Sequence, residues 1–116
     1  MDPNAAAKAQ MNPLSQEEFE EILKSSKPHP LQVIYFTAKW CGPCKNLKLQ
    51  SILDSFKGIK WHVCDVDDNE YTPGYCGLKS IPSFLAIVKG KPVLPMYQQS
   101  DENKVIEWID SIVKKI

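Results

Sequence analysis

An α/β fold, with a central mixed β-sheet flanked by helices on both faces, is the architecture predicted for this 116-residue chain. Three observations predict it. Leu31–Thr37 (LQVIYFT) and Ser83–Val88 (SFLAIV) are continuous apolar runs rather than alternating ones, the pattern of strands buried on both faces. Stretches of helical periodicity lie between the predicted strands, which implies parallel crossovers. The turn Lys89-Gly90-Lys91 then folds the last apolar strand back on a proline-interrupted partner, adding an antiparallel edge.

The elements follow in order. Residues 1–10 (MDPNAAAKAQ) read as a flexible tail or an expression scar, with Met11 a candidate natural start and 11–116 a single domain. Ser15 with Glu18 three residues on has capping-box spacing, and Phe19, Ile22 and Leu23 share one helical face. Pro28 and Pro30 end that helix. After Leu31–Thr37, a helical pattern runs from Pro43 to about Lys57, with Leu47, Ile52, Leu53 and Phe56 as its apolar face and Gly58 as its stop. Trp61–Val66 reads as a strand, 67–69 as a turn, and 70–77 as at most a short helix. Val93–Tyr97 is an edge strand because Pro92 and Pro95 interrupt its donors. Ser100 is expected to cap a closing helix that buries Val105, Ile106, Trp108, Ile109, Ile112 and Val113.

Composition narrows the function. The 14 basic and 14 acidic residues balance, and every basic residue is Lys. Nucleic-acid binding ordinarily shows as a basic excess with Arg for phosphates and base edges, so none is expected. No apolar run approaches the roughly 20 residues of a membrane-spanning helix, and neither a secretory signal nor an Arg-rich transit peptide is visible; a cytoplasmic protein is expected. Four Cys are too few for a disulfide-built scaffold.

Two of those cysteines carry the chemistry. Cys41-Gly42-Pro43-Cys44 follows a buried strand and opens a helix. In thiol–disulfide exchange a thiolate attacks a disulfide sulfur, and a second thiol must resolve the mixed disulfide. A cysteine at a helix N-terminus meets unpaired N–H groups and the positive end of the dipole, which lower thiol pKa from about 8.5 to roughly 3.5–7.5. Cys41 is therefore expected to be the exposed nucleophile and Cys44, one turn on, the shielded resolving thiol. Pro43 stiffens the turn, Lys39 and Lys45 add a weak favourable field, and Trp40 is expected to pack beside Cys41 as an apolar platform. Zinc is the competing use of a C-x-x-C pair. It wants a second close pair, whereas Cys64 and Cys76 have eleven residues between them and His29 and His62 lack ligand spacing.

Trp40-Cys41-Gly42-Pro43-Cys44-Lys45, Ile81-Pro82, the acidic end of the second strand at Asp65-Val66-Asp67-Asp68, and Gly90 together resemble the thioredoxin family, over about Met11 to Ile116. The resemblance implies a thioredoxin fold and reduction of protein disulfides. It also implies a cis Pro82 that brings Ile81 beside Cys41 to pair with substrate, and a thioredoxin reductase as electron donor. No metal or organic cofactor is expected, the Cys41–Cys44 pair itself being the redox centre, and the chain is expected to act as a monomer.

Three positions depart from the family. Tyr35 stands where the family carries a buried Asp that handles the resolving thiol's proton, and Tyr is a poor base at neutrality. Leu49 replaces a kink-forming Pro, so a straighter helix is expected. Gln98 replaces a glycine near the site. Disulfide oxidation or isomerisation, and non-catalytic docking through Trp40 and Pro82, therefore stay open beside reduction. Cys64 and Cys76 read as core residues, with a bond between them or a regulatory Cys76 as alternatives. His29 and His62 read as non-catalytic, and Asp67-Asp68 as a solvated turn.

Overall fold

The computed structural model describes residues 2–116. Five strands form one sheet: β1 (Asn12–Pro13), β2 (Leu31–Thr37), β3 (Lys60–Asp65), β4 (Ser83–Val88) and β5 (Lys91–Gln98), in the order β1-β3-β2-β4-β5. β3 is parallel to both β1 and β2, whereas β4 runs antiparallel to β2 and β5 antiparallel to β4. The six helices are α1 (Ala5–Lys8), α2 (Gln16–Lys24), α3 (Gly42–Asn46), α4 (Leu49–Ser55), α5 (Tyr71–Cys76) and α6 (Glu102–Val113).

The unbroken apolarity of β2 has a direct reason. Val33 and Tyr35 point into a core shared with Leu49 and Ile52 of α4 and with Val105 and Ile109 of α6. Ile34 and Phe36 point the other way, toward Phe19 of α2 and Cys76 of α5. Both faces of the strand are covered, so no polar alternation is tolerated. The capping box of α2 is present in full: Ser15 Oγ accepts from Glu18 N–H, and Glu18 Oε1 accepts from Ser15 N–H.

Four expectations are corrected. Residues 2–10 are not a flexible tail: α1 packs against α4, and Asn4 and Ala7 are buried (residue 1 lies outside the described residues). The helix expected over 43–57 is broken, not straighter, with Leu47 and Lys48 leaving helical geometry between α3 and α4. Residues two apart on a helix face different ways. The break lets Leu47 and Leu49 both enter the first core, where each is fully buried. The cap of α6 is Asp101, which accepts from Asn103 N–H, rather than Ser100. A fifth strand, β1, is too short to carry a periodicity and was not expected.

Candidate active site

β2 ends at Thr37, and the chain turns through Ala38–Trp40, where Cys41 N–H donates to the Ala38 carbonyl at 3.1 Å. Cys41 is the N-cap of α3, and its Sγ accepts from Cys44 N–H at 3.2 Å. Pro43 occupies the first turn, where the N–H it lacks would have had no helical partner. Cys41 and Cys44 are joined in a disulfide, with their Cα atoms 5.4 Å apart. The bond packs on Ala38, Val66 and Ile81. The Ile81–Pro82 peptide is cis, and Ile81 belongs to the same apolar cluster as the disulfide.

The expected exposure of Cys41 is corrected: in the disulfide form it is only 2% exposed, its sulfur closed in by Cys44, the backbone N–H and Ile81. Gly42 and Trp40 form the exposed rim instead. Trp40 is 67% exposed and is held by its indole N–H, which donates to Asp67 Oδ2 at 2.9 Å. The sequence places Asp67 in a solvated turn and gives no sign of this partnership, because the two residues are 27 positions apart and nothing local announces the bond.

Behind the disulfide lies a cavity of about 250 Å³, lined by both cysteines, Tyr35, and Asp2, Asn4 and Lys8 of the N-terminal segment. Asp2 and Lys8 form an ion pair at its side. Burial works against the Asp2 carboxylate but is outweighed by Lys8, by the Asn4 N–H and by Lys45, and its pKa is lowered. Tyr35 is 1% exposed and stacked on Phe84. Burial raises its pKa, with Thr37 opposing and the Asp2 charge adding, so the hydroxyl stays neutral. None of the N-terminal contacts was anticipated. The available signal was Asn4 ahead of Ala5-Ala6-Ala7-Lys8, a short helix-start pattern.

Cys64 and Cys76 are both buried in the second core and unbonded. Burial pushes the Cys64 thiol to about 12 and the Cys76 thiol to about 11, so both remain protonated at neutral pH.

Comparison with known proteins matches this geometry. The family model for thioredoxin matches residues 10–111. Thioredoxin of Gallus gallus is 35% identical over 98 residues, which cover 83% of this chain and 91% of that protein. Thioredoxin of Mus musculus is 36% identical over 81 residues, covering 68% and 76%. Among solved structures, thioredoxin from Trypanosoma brucei brucei superposes with a TM-score of 0.78 at 27% identity, over 95% of this chain and 96% of that one. The oxidised mitochondrial thioredoxin 3 of Saccharomyces cerevisiae superposes at 0.79 with 22% identity, over 90% and 98%, and speaks to the fold.

A closed cysteine pair between β2 and α3 of this sheet defines a thiol–disulfide oxidoreductase acting on protein disulfides. Reduction of such disulfides is the reaction of its class. The chain belongs to the thioredoxin family.

Proposed function

We propose that Cys41 is the attacking thiol and Cys44 the resolving one, with Trp40, Gly42, Pro43, Ile81 and Pro82 forming the surface that receives the substrate chain. The observation that carries this reading is the disulfide between an N-cap cysteine and one a turn later, packed against Ile81 beside the cis proline. Once the pair is reduced, the Cys44 N–H that points at Cys41 Sγ stabilises negative charge there. Cys44 is buried within α3 and its carbonyl is held by Asn4 of the N-terminal segment, which suits a thiol that meets only its neighbour.

In the forward reaction, the Cys41 thiolate attacks a substrate disulfide and one substrate thiolate leaves. The Cys44 thiol gives up its proton and attacks Cys41 Sγ. The second substrate thiolate leaves, and two electrons have passed from the dithiol to the substrate. A Cys44→Ser variant should stall at the mixed disulfide, seen on non-reducing gels and by mass spectrometry as a covalent adduct that reductant releases. If Cys44→Ser forms no adduct while Cys41→Ser does, the roles are reversed.

The electron donor in this reading is a thioredoxin reductase, and the working unit a cytoplasmic monomer serving redox homeostasis. Gly42-Pro43 between the cysteines favours the reducing direction. Equilibration with a glutathione or dithiol redox buffer should give a reduction potential below about −240 mV; one above about −200 mV would make the pair an oxidant.

A further inference from the structure

The break between α3 and α4 deprives two backbone groups of their helical partners. In a continuous helix Lys48 N–H would donate to the Cys44 carbonyl and Leu49 N–H to the Lys45 carbonyl. Lys48 N–H instead donates to Glu102 Oε1 of α6 at 3.1 Å. The side chain of Asn4 serves both sites: Nδ2 donates to the Cys44 carbonyl at 3.0 Å, which also accepts from Leu47 N–H at 3.4 Å, and Oδ1 accepts from Leu49 N–H at 3.2 Å. Asn4 is 6% exposed and reaches across 40 and 45 residues of sequence to do so. Ala7 and α1 anchor it on the first core, and Asp2 and Lys8 on either side wall the cavity behind Cys44.

We propose that Asn4 is a positioning residue for the resolving step: its amide holds the backbone of Cys44 where the Cys44 sulfur can reach Cys41. This rests on the reading of Cys44 as the resolving thiol. At the mixed-disulfide stage Cys44 is no longer tied to Cys41, and α3 is a single short turn with few hydrogen bonds of its own. The Asn4 bond then restrains the Cys44 carbonyl against the body of the protein. Resolution proceeds when the Cys44 proton passes to water. The thiolate then bonds to Cys41 Sγ, and the Cys41–substrate bond breaks to release the substrate thiolate. Misplacement of the attacking atom by about 1 Å is enough to slow such a step severely. Asn4 holds neither Cys41 nor the incoming disulfide, so the attack by Cys41 depends on it only indirectly, through the Cys44 N–H that faces Cys41 Sγ.

The test separates the two steps by rapid-quench kinetics on a protein disulfide substrate. Asn4→Ala should slow decay of the mixed disulfide at least about fivefold. Adduct formation, measured in the Cys44→Ser background, should stay within about twofold. Asn4→Asp keeps an acceptor for Leu49 N–H but sets a carboxylate against the Cys44 carbonyl, so it should also resolve slowly. Mixed-disulfide decay at the unsubstituted rate in Asn4→Ala overturns the proposal. So does full recovery in Asn4→Asp, which would leave Asn4 a structural staple at Leu49 alone. If Asn4→Ala melts below the assay temperature, Asn4→Asp decides by the same criterion. A Cys44→Ser chain that traps nothing overturns the role of Cys44, and this inference with it. A chain that traps while Asn4→Ala resolves normally overturns the role of Asn4 alone.

Discussion

Tyr35 occupies a fully buried position on β2 beside the cavity behind the disulfide, where a carboxylate would act as a base and a phenol does not. Its ring is spent on packing: it stacks on Phe84 with centroids 5.1 Å apart and fills the first core. Because burial keeps the hydroxyl neutral, Tyr35 does not serve as a base for Cys44 in the proposed resolving step. Tyr35→Asp should therefore speed protein-disulfide reduction near pH 7. It should also cost stability, on the order of 3 kcal/mol or more, because an aromatic is lost from the core and a carboxyl is buried in its place. Initial rates taken below the melting temperature check the first part, and a urea titration the second. An unchanged or lower rate would remove proton transfer from the list of what this position controls.

At the scale of elements, β1, β3, β2 and α2 are tied together through one ring. His62 on β3 is 2% exposed; its Nε2 pairs with Gln32 Oε1 of β2 at 2.8 Å and its Nδ1 with Asn12 Nδ2 of β1 at 3.0 Å. The same Asn12 amide donates to Glu18 Oε2 of α2. This set is satisfied only by a neutral ring, with Nε2 donating and Nδ1 accepting. Burial, aided by Lys60 and His29 and opposed by Glu18, pushes the His62 pKa down to about 4. A histidine held below its unfolded value of 6.5 binds its proton more readily when the chain unfolds. Its stabilising contribution is complete above about pH 6.5, declines as pH falls toward 4, and declines no further below that. The expected loss is on the order of 3 kcal/mol. Denaturant midpoints from pH 7 to pH 4 should follow that limb, and His62→Gln should flatten it. Glu18, whose pKa the Asn12 amide holds down, weakens only at more acidic pH and should leave a residual slope. A His62→Gln chain with the same acid limb would assign the pH dependence elsewhere.

Across the molecule, the sheet separates two cores and its far end is closed by a tight packing contact. The β4–β5 hairpin places Lys89 at φ 52° and Gly90 at φ 83°. A Cβ on Gly90 would lie 3.1 Å from Pro28 Cβ, on the loop between α2 and β2. Gly90→Ala combines a left-handed backbone with that crowding and should cost about 1–2 kcal/mol. The hairpin lies at the end of β4 opposite Pro82, so the reduction rate should stay unchanged. A lower urea midpoint with unaltered kinetics is the expected result; loss of rate would mean the two ends of β4 are coupled.

Features encoded within a few residues could be read directly from the chain. The limits of β2 and β4 follow from two-sided burial, the start of α2 from Ser15 and Glu18, and the redox pair from Cys41-Gly42-Pro43-Cys44 after a buried strand. The break after α3, the burial of Cys41, the hold of Asp67 on Trp40 and the docking of residues 2–10 could not be read this way. The break, the hold on Trp40 and the docking each bring a polar group to a side chain 27 to 54 positions away, and the burial of Cys41 comes from packing against Val66 and Ile81. Propensity and periodicity report on neighbours along the chain, whereas a polar group seeks its partner through space. The chemistry of the site is thus local, and its alignment is a property of the assembled fold.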